Sequence, residues 1–471
     1  MTRLLLAALA VQAAVAAAAS AQVAPRPAAP DAQVFTLQDA LHYAVEHYPA
    51  IAAALEQVNA SAASVSVARS AYLPRLDSVL QVNRATVNNV TGLLLPQSVV
   101  PGISGPPLPS GSSQSAWGSA AGALFSWEPF DFGLRDAGVR GAEAAVTRAR
   151  ANQSLTRLEV QSAVGAAFLA VVQAEQAVTA TVADVERRTV LARAARALAD
   201  NDLRPGAEAS RADAERAAAE TRAILARQSL ALAQTTFARV LGVTSGPVGV
   251  NAGSLLAPAP PTSPPAETAS AHPLALASQA SVDEARTQEE ILARTNRPRL
   301  YVQSALFARG SGAAFNGSFD GGADGLGLER ANWAAGVQVV MPNLFDVASL
   351  RARRAASAAT TRAEAARYDE ALLMVTSQQQ AAAVMVEAAR AVAATTPVQL
   401  AAARQSESQA SARYQAGLAS IVEVADTQGL LAQAEYQDGV ARVDVWRALL
   451  ADAVAHGDLG PFVSLLSPGG R

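Results

Sequence analysis

Two very long helical segments constrain the fold of this chain more than any other feature. We predict the first at residues 134–199 and the second at 347–414. Apolar residues recur at spacings of three and four in both, which is typical of a coiled-coil seam. About 68 helical residues make a rod of roughly 100 Å, which must pack against something equally long. Pro397 lies inside the second segment and is expected to kink it.

The composition is consistent with long helices. Hydrophobic residues make up 51% of the chain but aromatic residues only 5%. The difference is mostly alanine, which favours helix and lets helices pack closely. The alanine bias of a GC-rich genome would produce the same composition, so that alternative stays open. The net charge of −3 includes no basic excess, so we expect no nucleic-acid partner.

The N-terminus has the layout of a secretory signal peptide, which we place at residues 1–21. Arg3 supplies the positive charge, an apolar run follows, and Ala19-Ser20-Ala21 forms a cleavage site. A membrane anchor is the alternative, although about 17 apolar residues before a Pro-rich stretch make a poor one. No other apolar run of about 18 residues follows, so we expect no membrane-spanning helix, which leaves a β-barrel as the spanning option.

The absence of cysteine excludes several kinds of site. The chain contains no cysteine. Disulfides, thiolate metal sites and cysteine nucleophiles are therefore excluded. A lipidated cysteine is excluded as well, so we predict a protein that is not lipidated.

The sequence predicts two internal repeats. Pro49 and Pro273 each open a helical segment, and Pro74 and Pro298 each close one at the same separation. Several such pairs in the same order are unlikely to arise by chance. The predicted units are an N-terminal extension at 22–35, a first repeat at 36–250, a Pro-rich linker at 251–266, a second repeat at 267–458 and a C-terminal tail at 459–471.

Each repeat has the predicted order helix, strand, loop, strand, long helix, turn, helix. Alternation of apolar and polar residues from Leu76 onward indicates a strand. The first helix is predicted at residues 36–73, before Pro74. The shorter helices, stacked end to end in pairs, would match the long ones. The other predicted elements are strands at about 76–86, 116–127, 299–308 and 332–341 and helices at 207–240 and 420–455.

Four strands are too few to close a barrel, and an open sheet edge is not tolerated in lipid. Several copies must therefore pool their strands. Known barrels begin at about eight strands, and three copies would provide twelve. Trp117, Trp127 and Trp333 then suit the aromatic girdles at the bilayer faces, although they could be ordinary core residues. We predict a mainly α protein that contributes four strands to a small transmembrane β-barrel.

Four motifs resemble the TolC-like outer membrane factor family. They are residues 35–41 (FTLQDAL) followed by Tyr48-Pro49, residues 71–76 (AYLPRL), residues 127–133 (WEPFDFG) and residues 413–420 (RYQAGLAS). Each motif is weak alone, but their order covers almost the whole mature chain.

The resemblance implies a homotrimer with a twelve-stranded barrel in the outer membrane. A tunnel of helices, roughly 100 Å long, crosses the periplasm. The family acts as a passive exit duct for tripartite efflux or type I secretion, together with a periplasmic adaptor (membrane fusion protein) and an inner-membrane pump of RND or ABC type. Drugs, metal ions and proteins all remain open as substrates, and the lack of a Met or His cluster weakly favours drugs.

The resemblance also implies that the turns after the long helices dock the adaptor. Asp202 and Leu203 lie in the first turn, and Gly417 and Leu418 lie in the second. Gly417 suits the left-handed conformation that ends many helices. Asp202 occupies the position where the family usually has glycine, and Asp tolerates this conformation better than most residues.

The gate at the tunnel entrance is expected to rest on carboxylates. Glu423 and Asp426 are three residues apart, so they share a helix face and resemble the family's acidic pair. A solvated helix face is the alternative. Tyr414 and Glu208 match positions of the family's closing network. Ala419 stands where an arginine is expected, and either Arg413 or Arg204 could substitute for it.

Other function classes find little support. The four histidines do not form a metal-binding pattern with carboxylates, and there is no phosphate-binding loop, dinucleotide fingerprint or nucleophile elbow. We therefore expect no enzyme, no cofactor and no metal. A soluble periplasmic scaffold or adaptor is the alternative function.

Overall fold

A computed structural model describes residues 34–86, 115–243, 248–260, 268–310, 323–342 and 346–466. The predicted signal peptide at residues 1–21 lies outside these ranges. Most of both loops between the paired strands also lies outside them, as do parts of the Pro-rich linker and of the C-terminal tail.

Long helices dominate the described chain. The helices are α1 Leu37–His47, α2 Pro49–Ser70, α3 Leu134–Asp200, α4 Gly206–Leu241, α5 Pro273–Arg294, α6 Val347–Gln415, α7 Ile421–His456 and α8 Gly460–Leu466. The strands are β1 Val34–Phe35, β2 Arg75–Thr86, β3 Ser115–Phe130, β4 Gly249–Val250, β5 Arg299–Gly310 and β6 Arg330–Val340.

Three helix boundaries differ from the sequence prediction, two of them because of proline. The predicted helix at residues 36–73 is broken at Tyr48, whose backbone is extended because Pro49 follows it. His272 is extended before Pro273 in the same way, so α5 begins at Pro273 and not at residue 267, the predicted start of the second repeat. The predicted tail contains the short helix α8. By contrast, α6 runs without interruption through Pro397.

The helices pack side by side as four rods. The N-terminal half of α3 packs against α2 and α5. The ion pair Arg69–Glu143 links it to α2, and Arg148–Glu284 links it to α5. The other half packs against α4 and α7. The helix α6 packs against α5 and α7 in turn. Each long helix is therefore matched by two shorter ones placed end to end.

Glycine forms the joints between the stacked helices. Gly242 ends α4 with φ +79° and lies against Tyr48 and Pro49 at the start of α2. Gly457 ends α7 with φ +82° and lies against Pro273 at the start of α5. These positive φ angles are left-handed helix caps, which strongly favour glycine.

His272 ties the second joint together. Its Nδ1 accepts the amide of Leu274 at 3.1 Å, so Nε2 carries the proton and donates to the carbonyl of Val454 at 3.1 Å. Burial lowers the pKa of His272, which keeps the ring neutral as this bonding requires.

Replacing Gly457 with Ala should destabilise the protein markedly. A Cβ there would lie 2.5 Å from Pro273 Cδ, and φ is already unfavourable for alanine. We expect a loss of about 2 kcal/mol, measured by denaturant unfolding of the assembled protein. Gly138→Ala in α3 is the control, because open space surrounds that position and alanine favours helix. Equal stability of the two variants would contradict the role of the joint.

The largest hydrophobic core surrounds the first joint. Phe168 of α3 packs edge to face on Phe237 of α4, and Phe237 packs on Phe35 of β1. Trp446 of α7 is 1% exposed and packs against Phe462 of α8. Towards the turns, the buried residues of α4 are mainly alanine, so helices approach closely there with little large-side-chain packing.

Two helices in the described ranges have windows apolar enough to cross a bilayer, contrary to expectation. The mean hydropathy over 18 residues reaches 1.4 in α3 and 1.2 in α6. Both helices are far longer than the roughly 20 residues of a membrane crossing, and both pack along other helices.

The remaining strands form one antiparallel sheet in the order β2-β3-β5-β6. Directly paired residues of antiparallel strands lie on the same face. The pairs Leu76–Phe125 and Leu306–Trp333 therefore share one face, which is apolar and largely exposed. Within the described residues, β2 and β6 each pair on one side only.

Candidate functional site: the helix-turn tips and the sheet face

The two turns at the far end of the long helices have the same backbone design. Asp202 adopts φ +55° between α3 and α4, and Gly417 adopts φ +78° between α6 and α7. The next residue bonds back five positions in each turn. Leu203 donates to the carbonyl of Leu198 at 2.9 Å, and Leu418 donates to that of Arg413 at 2.8 Å. This is the Schellman motif, in which Asp202 takes the position usual for glycine.

Both turns present an exposed leucine. Leu203 is 69% exposed and Leu418 is 70% exposed. Each directly follows the left-handed residue, so the backbone directs both side chains away from the bundle. Leu203 and Leu418 are two of the residues that the family resemblance assigns to adaptor docking.

Tyr414 joins the two turns. Its ring is buried, and its hydroxyl donates to Glu208 Oε2 of α4 at 3.4 Å. The guanidinium of Arg204 lies 5.4 Å from the centre of the same ring and 3.7 Å from Glu208 Oε1. Burial and the charge of Glu208 raise the pKa of Tyr414, so its hydroxyl stays protonated and donates. Arg204, Glu208 and Tyr414 form one contact between the two turns, which we call the tip triad.

Arg413 has a different partner. It donates to Glu423 at 2.6 Å and to the carbonyl of Leu418 at 3.3 Å, which holds the α6–α7 turn together. Arg204 and Arg413, either of which could substitute for the arginine expected at Ala419, therefore make different contacts. Arg204 bridges the turns, and Arg413 stiffens one of them. Ala419 packs against the small core beneath the tips.

The two acidic residues of α7 are not equivalent. Glu423 is paired with Arg413, and its amide bonds to the hydroxyl of Ser420 at 3.4 Å in the helix cap. Asp426 is exposed one turn later and has no ion pair recorded among the described residues. Asp426 therefore carries the less compensated negative charge.

All three predicted girdle tryptophans lie on the apolar face of the sheet. Trp117 pairs with Arg84, whose guanidinium lies 5.6 Å from the indole, and Trp127 donates to the carbonyl of Tyr72 at 3.1 Å. Trp333 is 79% exposed, so it is not a core residue of the chain. Along the strand pairing Trp333 aligns with Leu306 and Ala123, between the other two tryptophans.

An aromatic and basic group at the sheet–helix junction was missed by sequence reasoning. Phe130 and Phe132 pack edge to face at 4.8 Å and are both exposed. Arg135 lies over the ring of Tyr72 at 4.7 Å. The motif at residues 127–133 indicated this junction, but not its three-dimensional contacts.

The residue types of the motif at 127–133 are explained by the sharp turn that the chain makes between strand β3 and helix α3. Phe132 and Gly133 have φ angles of +53° and +86°, which turn the chain from β3 into α3. Buried Asp131 accepts from the amide of Gly133 at 3.0 Å, from the amide of Arg135 at 2.6 Å and from the Arg135 guanidinium at 3.0 Å. Burial opposes ionisation, but these hydrogen bonds outweigh it and lower the pKa of Asp131.

Asp131→Asn should destabilise the junction by about 1–3 kcal/mol at neutral pH, because a charged acceptor of several hydrogen bonds is lost. Since the folded-state pKa is lowered, the stabilisation by Asp131 is fully present above about pH 4 and lost as pH falls through the folded-state value. Urea unfolding of both proteins across pH 2–7 measures this. A constant stability difference at all pH values would contradict it.

The described residues thus form a four-stranded antiparallel sheet with an exposed apolar face, joined to stacked helical rods. Residues 40–243 match the family model described as outer membrane efflux protein. This match confirms the resemblance to the TolC-like outer membrane factor family over those residues. No curated protein sequence matches the chain significantly.

Solved structures share the fold over nearly the whole chain. The CmeC outer membrane channel of Campylobacter jejuni matches with a TM-score of 0.73 and 13% identity, covering 93% of this chain and 90% of that one. The outer membrane protein VceC of Vibrio cholerae matches with a TM-score of 0.69 and 17% identity, covering 90% and 96%. The MtrE outer membrane channel of Neisseria gonorrhoeae matches with a TM-score of 0.66 and 16% identity, covering 92% and 90%.

Proposed function

We propose that this protein is the outer-membrane exit duct of a tripartite efflux system. The sheet is the observation that carries this proposal. Its apolar face is exposed, and among the described residues each edge strand pairs on one side only, so a single chain would leave unpaired backbone groups in lipid. Pairing β6 of one copy with β2 of the next removes both edges. Three copies would close a barrel of twelve strands.

The helical rods would continue this barrel as a tunnel across the periplasm. The family match and the relatives described as outer membrane channels support that placement. Substrates would pass through passively, so the protein would be a conduit and not an enzyme. The two repeats would supply alternate pairs of strands and alternate rods around the tunnel.

The tips are the proposed contact with partners. Leu203 and Leu418 are exposed side by side with the tip triad, which suits docking of a periplasmic adaptor. The adaptor would in turn recruit an inner-membrane pump of RND or ABC type. Type I secretion uses the same architecture and stays open. Glu423 and Asp426, repeated in three copies, would surround the tunnel entrance with carboxylates that favour cations.

The proposed tryptophan girdles fit Trp117 and Trp127 better than Trp333. Trp127 lies near the helix end of the sheet, together with Tyr72, Phe130 and Phe132. Trp117 lies near the other end. These two would contact lipid at opposite bilayer faces, whereas Trp333 aligns between them along the strand pairing.

Membrane fractionation tests the proposed location. We expect the protein in the outer membrane fraction after density separation of inner membrane, outer membrane and soluble periplasm, and we expect no lipid modification in its intact mass. Recovery only in the soluble periplasm would instead support the scaffold or adaptor alternative.

A further inference from the structure

We propose that the seam between α3 and α7 is a second latch of the duct, and that Arg187 and Glu435 hold it in the resting position. This inference rests on the proposed function. It concerns what holds the first turns of α7, which carry Glu423 and Asp426, at the tunnel entrance. The tip triad lies between α4 and α6, so the seam is a separate contact.

Glycine brings the two helices of the seam unusually close. A Cβ at Gly439 of α7 would lie 3.1 Å from the Cβ of Gln176 in α3. A Cβ at Gly165 of α3 would lie 2.7 Å from Leu450 Cδ2 in α7. These contacts are about three turns apart, with the glycine on α7 in one and on α3 in the other, so they fix the sliding position of α7 along α3.

Arg187 and Glu435 bridge the seam between these contacts and the tip. Arg187 Nη1 and Nη2 donate to the two carboxylate oxygens of Glu435 at 3.3 and 2.8 Å. The two side chains are only 22% and 20% exposed. A two-point pair of this kind requires one relative position of the helices, and partial burial strengthens it. Glu435 lies three turns, or about 18 Å, from Glu423 along α7.

The helices on either side of the seam are braced separately. Buried Arg188 of α3 binds Asp184 at 2.9 Å and Glu215 of α4 at 2.9 Å, and Arg222 of α4 binds Asp184 at 2.9 Å. This network joins α3 to α4. Because Asp184 and Arg188 are almost fully buried, breaking it would be costly.

A second set of contacts joins α6 to α7. Thr396 donates to Asp438 at 3.2 Å in a buried position, and Arg413 pairs with Glu423 at the tip. The α3–α4 pair and the α6–α7 pair are thus each held internally. The α3–α7 seam is the boundary along which one pair can slide on the other, and Arg187–Glu435 spans that boundary.

Charge reversal tests the latch in planar bilayers. Arg187→Glu or Glu435→Arg alone should raise the resting open probability at least about tenfold, equivalent to about 1.4 kcal/mol. The swapped double variant, Arg187→Glu with Glu435→Arg, should return it towards the original value. Arg286→Glu, at an exposed pair on α5, is the control for a change of charge. Single reversals that leave the open probability unchanged, or a swap that opens the duct further, would overturn the proposal.

A disulfide across the seam tests it independently of charge. The chain has no cysteine, so Gln176→Cys with Gly439→Cys introduces the only two thiols. A slight separation of the helices would reach the usual Cβ–Cβ distance of about 3.8 Å. The pair is placed in a channel opened by Tyr414→Phe with Glu208→Ala. Oxidation should lower its conductance and reduction should restore it, whereas each single cysteine should show no response.

The two possible failures are distinguishable. If the opened background conducts but oxidation of the cysteine pair leaves the conductance unchanged, the seam does not move and the latch is wrong. If the Tyr414 and Glu208 substitutions do not raise conductance, the proposed tip gate has failed, and the charge reversals still decide the role of the seam.

Discussion

Replacing Tyr414 with Phe together with Glu208 with Ala should raise the resting conductance of the duct in planar bilayers. The substitutions remove the hydrogen bond between α4 and α6 and leave Arg204 without its carboxylate. Hydrogen bonds to charged groups contribute about 1.5–3 kcal/mol each, so the open probability should increase at least about tenfold. Three copies of the contact in a trimer would enlarge the effect.

The matched control changes the same residue types outside the tip triad. Tyr436→Phe with Glu220→Ala alters an exposed tyrosine of α7 and an exposed glutamate of α4. We expect its conductance to equal that of the unmodified protein. If both double variants conduct alike, the tip triad does not close the duct.

Asp426→Ala should weaken block of the open duct by divalent or trivalent cations more than Glu423→Ala does. Asp426 is exposed and has no recorded ion pair among the described residues, whereas Glu423 is already compensated by Arg413 at 2.6 Å. Three copies of Asp426 around a narrow entrance would form the stronger cation site. We expect the blocking concentration to rise about tenfold for Asp426→Ala, which corresponds to about 1.4 kcal/mol.

Single-channel recording with the cation added from the tip side measures this block. Asp283→Ala removes an exposed carboxylate from α5, at the other end of the bundle, and should leave block unchanged. Removing both tip acids should have an effect no smaller than Asp426→Ala alone. Equal and small effects of all these variants would place Asp426 and Glu423 outside the entrance.

Much of the helical architecture follows from local sequence. Alanine-rich segments with apolar residues at spacings of three and four predict α3 and α6, because helix propensity and a coiled-coil seam both act within a few turns. The break at Tyr48 was missed, although proline restricts the preceding residue to extended backbone. A proline can begin a helix as readily as it ends one, and the pattern alone did not separate these cases.

The candidate site was only partly predictable. The family resemblance indicated Tyr414 and Glu208, and the structure brings them into contact although they lie in different repeats. Sequence could not assign Arg204 and Arg413, because both flank turns whose relative position depends on how the rods pack. Arg187 and Glu435 carry no local signal at all, since they meet only through the packing of α3 against α7.

We propose that this chain supplies one third of a barrel that crosses the outer membrane and continues as a tunnel. Electron cryomicroscopy of the protein extracted from the outer membrane tests it most directly, at a resolution that separates strands. We predict a threefold particle in which β6 of each copy pairs with β2 of the next. A monomeric particle, or a sheet whose edge strands remain unpaired between copies, would contradict it.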